Sequence, residues 1–149
     1  MSDIMRTIRD GIETRVAAVA GGGYSKLAYV EQIEKNSFNT SNDRYGVRAL
    51  GALQNPGVTR HTTFTQSFEV VLTKGYIQSS IDDTEQVEKS YDLRAIILDI
   101  YTDLVNTKAG VPAVVMNIFN LEFAEPEYLE EDKVVITRST MDITFRLNL

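Results

Sequence analysis

The C-terminal run from Val135 to Leu149 constrains this chain most. Val135, Met141, Ile143, Phe145, Leu147 and Leu149 take odd positions, while Arg138, Thr140, Asp142, Thr144, Arg146 and Asn148 take even ones. A period of two sends alternate side chains to opposite faces of a sheet, so this run is a strand with one face against a core. A strand of that length with an open edge would template aggregation, so it is expected to be paired within the sheet. Thr63 to Thr73 repeats the pattern, with Phe64, Phe68, Val70 and Leu72 opposite Thr63, Thr65, Ser67 and Glu69, and with Val71 out of phase. It reads as a central strand. Ala113 to Phe123 is apolar on both parities, as in a strand covered on both faces.

Two segments carry helical periods instead. Ile4, Ile8, Ile12, Val16 and Val19 recur at spacings of four, four, four and three, with Arg6, Arg9, Asp10 and Glu13 between them. Ser2 is the expected N-cap, and Gly21-Gly22-Gly23 ends the helix by supplying left-handed conformations. A longer helix follows Asp82 or Asp83 as cap. Val87, Tyr91, Ala95, Leu98, Tyr101 and Val105 form its apolar stripe, and Leu93, Ile97, Ile100 and Leu104 widen it. A stripe wider than about 100° predicts broad contact with a sheet. Gly110 and Pro112 terminate it.

Between these elements, Tyr24 to Glu34 alternates as a strand. Residues 35–63 are rich in turn formers, including Asn55-Pro56-Gly57, and are interrupted by a short strand at Tyr45 to Leu53. The order of elements predicts one α+β domain over residues 1–149, with no repeat or linker. Its mixed or antiparallel sheet carries an N-terminal helix and one long central helix, with a long irregular loop region at about 35–63. Long irregular stretches in compact domains are functional or disordered; this one is expected to order against a neighbour.

At 149 residues the chain can bury roughly two-thirds of its unfolded surface, so it needs no staple. It has no cysteine and a single histidine, His61, which excludes thiolate metal sites, disulfide frameworks and cysteine nucleophiles. No run approaches the ~18 apolar residues of a membrane span, and the N-terminus has no continuous apolar stretch of a signal peptide. The expectation is a soluble protein of a cytoplasm-like compartment.

The net charge of −6 argues against a nucleic-acid-binding module and divides unevenly, as −1 over residues 1–34, +3 over 35–74 and −8 over 75–149. Lys35, Arg44, Arg48 and Arg60 carry the basic middle. Glu125, Glu127, Glu130, Glu131 and Asp132, with Glu122, form an acidic cluster without a basic residue. Two readings follow: solvated loops and helix faces, or opposite-sign surfaces that steer one copy onto another.

Enzymatic constellations are weak. The triple glycine with Ser25-Lys26 follows a helix and precedes a strand, the reverse of a phosphate loop, whose sequence is GxxxxGK[ST]. His61 beside Thr62 and Thr63 lacks an orienting acid and an oxyanion hole at any recognisable spacing. The acidic cluster lacks the alternating ligands of a calcium loop, and Glu125-Pro126-Glu127 bends it. Asn39-Thr40-Ser41 matches a glycosylation sequon, without meaning in the absence of a signal peptide. No catalytic residue, metal or cofactor is expected.

Several strings together bring a family into view. The N-terminal helix, Lys35-Asn36-Ser37, Tyr45-Gly46-Val47-Arg48, Gln66 to Leu72 leading to Gly75-Tyr76, the acid-capped long helix and the strand Met141 to Leu149 resemble tail terminator proteins of long-tailed bacteriophages. The resemblance spans nearly the whole chain, and it implies a virion structural protein without enzymatic activity. Such a subunit forms a homohexameric ring on the last ring of the tail tube, stops tube polymerisation and presents a surface to the head-side neck protein. Its implied partners are other copies of itself, the tail tube protein and a neck or head-completion protein, with DNA only as cargo passing through the lumen. Its implied location is the head-proximal end of the virion tail, after assembly in the host cytoplasm. A head-completion or neck adaptor protein is the alternative of the same class. A small α+β enzyme or ligand-binding domain with a site under residues 35–63 is the alternative of another class. Lys35, Arg44, Arg48 and Arg60, opposite Glu125, Glu127, Glu130, Glu131 and Asp132, are the candidate assembly residues.

Overall fold

The computed structural model describes residues 4–26, 43–54, 63–75, 84–129 and 133–146. Helix α1 (Ile4–Ala20) leads to strand β1 (Ser25–Lys26), β2 (Arg44–Gln54) and β3 (Thr63–Gly75). Helix α2 (Thr84–Thr107) runs into a 3₁₀ turn (Lys108–Gly110), and β4 (Val115–Phe123), β5 (Glu127–Leu129) and β6 (Val134–Arg146) follow. The sheet order is β1-β2-β3-β6-β4, with β5 also on β6. β1 pairs β2 in parallel and the other pairings are antiparallel, which makes a mixed sheet of an α+β domain. The described part of the expected strand over Tyr24 to Glu34 is β1; residues 27–34 lie outside the described residues.

The two alternating runs occupy the middle of the sheet. β3 and β6 pair without a register break from Thr63↔Arg146 to Gly75↔Val134. One face of the sheet presents Tyr45 and Val47, then Phe68, Val70 and Leu72, then Val135, Met141, Ile143 and Phe145, all in the main core. Both helices close this face, with α1 over β2 and against α2, and α2 over β3, β6 and β4. Ile8, Ile12 and Val16 of α1 are fully buried, as the i, i+4 spacing requires. The far face is polar, apart from a small cluster of Val71, Val134 and Ile136, which explains why Val71 broke the alternation of β3.

Helix ends follow backbone chemistry. Gly21 has φ +92° and its N–H donates to the Ala17 carbonyl, a left-handed C-terminal cap. α2 ends at Thr107, three residues before Gly110, because Lys108, Ala109 and Gly110 all have positive φ. This turn carries Ala109 into the core beneath α1. Gly11 makes the approach possible: a Cβ there would stand 2.4 Å from the Ala109 carbonyl oxygen.

Three expectations require correction. β4 is an edge strand rather than one covered on both faces: Val115 and Ile118 are buried, whereas Asn117, Phe119 and Asn120 are exposed. Two register shifts against β6, with Asn120 at φ +63° in the second, turn both parities of β4 toward the helices in succession. The strand inside the irregular region also runs one residue further at each end than expected; Arg44 to Leu50 and Gln54 pair with β3 across a bulge near Gly51 at φ +73°. The remaining parts of that region, residues 35–42 and 55–62, lie outside the described residues. Finally, α2 does not bury its full apolar width: Leu93, Ile97, Ile100 and Leu104 are fully buried, but Val87, Tyr91, Leu98 and Val105 are exposed.

Candidate functional site

The far face of the sheet gathers charge because register sets it so. Arg48 stands opposite Glu69, and Val71 opposite Arg138, so three charges from β2, β3 and β6 share one face. Glu69 has a side chain only 7% exposed, and a carboxylate so placed requires compensation for lost hydration. Its Oε1 accepts from Arg48 Nε at 2.9 Å and from Arg138 Nη1 at 3.3 Å. Arg138 Nε also donates to Glu127 Oε2 on β5 at 2.6 Å. Arginine suits this bridging position, since its planar fork can serve two carboxylates at once.

The rest of that face is also internally bonded. Ser67 Oγ donates to Asp142 Oδ1 at 2.6 Å, Asn120 Nδ2 donates to Asp142 Oδ2 at 3.0 Å, and the Thr65 and Thr144 hydroxyls lie 3.1 Å apart. The five charges of Arg48, Glu69, Arg138, Glu127 and Asp142 on this face are each met by a partner of the same chain.

The expected assembly residues therefore divide. Arg48 and Glu127 are brought together, but within one chain and through Glu69 and Arg138. Within its own chain, Arg48 meets Glu69 across the β2–β3 pair. Within the acidic cluster, Glu127 belongs to β5 and has Arg138 of its own chain as a cation partner. Arg44 opens β2, where its backbone N–H donates to Thr73 Oγ1, and Glu125 is exposed between β4 and β5. Lys35, Arg60, Glu130, Glu131 and Asp132 lie outside the described residues, as does His61. Lys26 Nζ lies 2.8 Å from Glu13 Oε2, so it ties β1 to α1.

Two further clusters anchor the helices. Arg15 grips Asp103 through Nε at 2.8 Å and Nη2 at 2.6 Å, which joins α1 to α2 and holds the Asp103 carboxyl below the usual carboxylate range. Tyr24 has its phenol pushed up to about 12, first by burial and then by the charges of Asp43 and Asp92. Lys74 Nζ sits 5.6 Å from the Tyr24 ring. Among the described residues, no group of three or more His, Cys, Asp or Glu side chains is arranged to hold a metal ion. Among them, too, no helix is long and apolar enough to cross a membrane.

The surface that sequence reasoning missed is the outward side of α2. Val87, Tyr91, Leu98 and Val105 are 36%, 59%, 51% and 40% exposed, respectively. With Arg94 and Tyr101 they advance by four, three, four, three and four residues, the spacing of a helix–helix seam. The signal lay in the width of the apolar arc, which exceeds what one sheet face can cover. Glu88, Asp92 and Asp99 are exposed beside the seam, while Arg94 lies over the Phe123 ring at 5.2 Å. Beyond the helix's other end, Lys108, Pro112, Val114, Met116 and Arg146 line a hollow of about 260 Å³.

No protein-family model and no curated protein matches this chain. A solved structure aligns over 97% of this chain and 96% of its own length, with 14% identity and a TM-score of 0.43, too distant to inform activity or partners.

Proposed function

We propose that this chain is a virion assembly protein, a tail terminator that forms a ring on the end of a phage tail tube and acts by surface complementarity without turnover. The observation that carries the reading is the outward face of α2. A helix whose opposite side is already buried presents four large apolar side chains to solvent, as a subunit that completes itself against other proteins would. Two features add support: the chain has the α+β class expected of that family, and the charges of its far sheet face are met from within.

The test mixes purified protein with tail tubes, then combines light scattering with electron microscopy. Rings capping tube ends are the expected result. Protein that binds no tube as monomer or oligomer would sink the reading, and binding to DNA-filled heads before tails would replace it with the neck-adaptor one.

A further inference from the structure

We infer that copies of this chain meet head to tail, with the acid-flanked outward face of α2 between Val87 and Asp99 on one copy seated in the cation-flanked hollow at the C-terminal end of α2 on the next. The contact rests on the ring reading above and names the surfaces that would build the ring. Its projecting side is apolar with an acidic border: Val87, Tyr91 and Leu98 stand out from the helix, and Glu88, Asp92 and Asp99 line one flank. Its receiving side is the reverse. Pro112, Val114 and Met116 offer apolar lining, and the exposed Lys108 and Arg146 supply positive charge.

The charges bordering the two surfaces are not taken up within the chain. Arg15, Lys26, Arg48 and Arg138 each hold a carboxylate of their own chain. Lys108 and Arg146 show no ion pair with any described residue, nor do Glu88, Asp92 and Asp99 on the projecting side, although the Asp92 charge acts on the Tyr24 phenol. Opposite charges around an apolar centre are the layout that steers and orients a protein contact.

Geometry favours a head-to-tail contact over a two-fold one. Tyr91 and Lys108 stand roughly 25 Å apart along the helix axis at about 1.5 Å per residue, so the two surfaces are distinct. A contact between distinct surfaces repeats, and it closes into a ring when the rotation per copy closes. Two α2 helices packed on one another antiparallel would instead set their acidic flanks side by side, and the cation-lined hollow would have no role.

The chain's lack of cysteine provides a clean test. Tyr91→Cys with Met116→Cys, bridged by a short bis-maleimide in the presence of tube ends, is expected to give a ladder of covalent oligomers. Tyr91→Cys alone is expected to give no product. Covalent dimer from Tyr91→Cys alone would overturn the inference in favour of a two-fold contact. No ladder from the double variant, while the same protein still caps tubes, would overturn the inference and leave the ring reading standing. Failure of the unaltered protein to self-associate or cap tubes would remove both.

Charge exchange gives a second readout. Glu88→Lys/Asp92→Lys and Lys108→Glu/Arg146→Glu should each weaken self-association roughly tenfold or more, and an equimolar mixture should restore it, because each projecting side then meets an opposite hollow. Unchanged melting midpoints establish that both variants fold. Assembly by either variant alone at unaltered strength would overturn the inference.

Discussion

The far face of the sheet and the outward face of α2 carry the two kinds of group that attract partners, and they treat them oppositely. On the sheet, strand register sets Arg48 against Glu69 and brings Arg138 and Glu127 into line, so the charges answer one another inside the chain. On α2, side chains one residue apart part company: Ile97 is fully buried and Leu98 is 51% exposed. A sheet places residues from distant segments side by side and lets them cancel. A helix with too wide an apolar arc leaves whatever its neighbours do not reach.

The largest expected effect lies at that divide. Ile97→Ala should cost about 2–5 kcal/mol of stability by opening a cavity, measured by urea denaturation. If instead Ile97→Ala and Leu98→Ala cost the same, the contrast between the two sides of α2 is wrong. Glu69→Gln comes next, at about 2–3 kcal/mol. It removes the carboxylate that Arg48 and Arg138 share, yet Arg138 keeps Glu127 and the two arginine side chains retain 23% and 14% exposure, which keeps the loss below the ~3–5 kcal/mol of a fully enclosed pair. A loss below about 0.5 kcal/mol would show that water already serves these guanidinium groups.

Glu127→Gln tests the outer end of the same chain of charges. Its carboxylate is 47% exposed, so about 0.2–1 kcal/mol is expected, shrinking with added salt. The Arg15–Asp103 pair responds to acid. Because Asp103 titrates below its ordinary 3.8 when folded, the pair stabilises the protein above that pH, and the contribution is lost as pH falls through the lower folded value. Thermal melts from pH 6 to pH 2 should therefore show an acid-side loss that Asp103→Asn lacks. The smallest effect on folding belongs to Leu98→Ser, within about 0.5 kcal/mol. The same substitution should reduce self-association seen by light scattering, and a normal oligomer would take the outward face out of the assembly.

Much of this was legible beforehand. Ile8, Ile12 and Val16 follow from a period of four, and β3 and β6 follow from a period of two, because each pattern matches one backbone geometry. The doubly apolar run of β4 misled, since bulges imitate two covered faces when alternation alone is read. The candidate site was harder. Segment charges of +3 and −8 suggested complementary copies, but Arg48 and Glu127 find their answers within one subunit, through Glu69 and Arg138.

The chain's own pattern thus determines that it is an α+β domain, which strands are central, and that α2 carries more apolar surface than a surface helix needs. Periodicity records the angle of a residue around its own helix or strand, and nothing about what stands opposite. Tertiary structure alone decided that Leu93, Ile97, Ile100 and Leu104 face the sheet while Val87, Tyr91, Leu98 and Val105 do not. It likewise decided which charges cancel, because pairing across strands depends on register between segments as distant as Arg48 and Arg138.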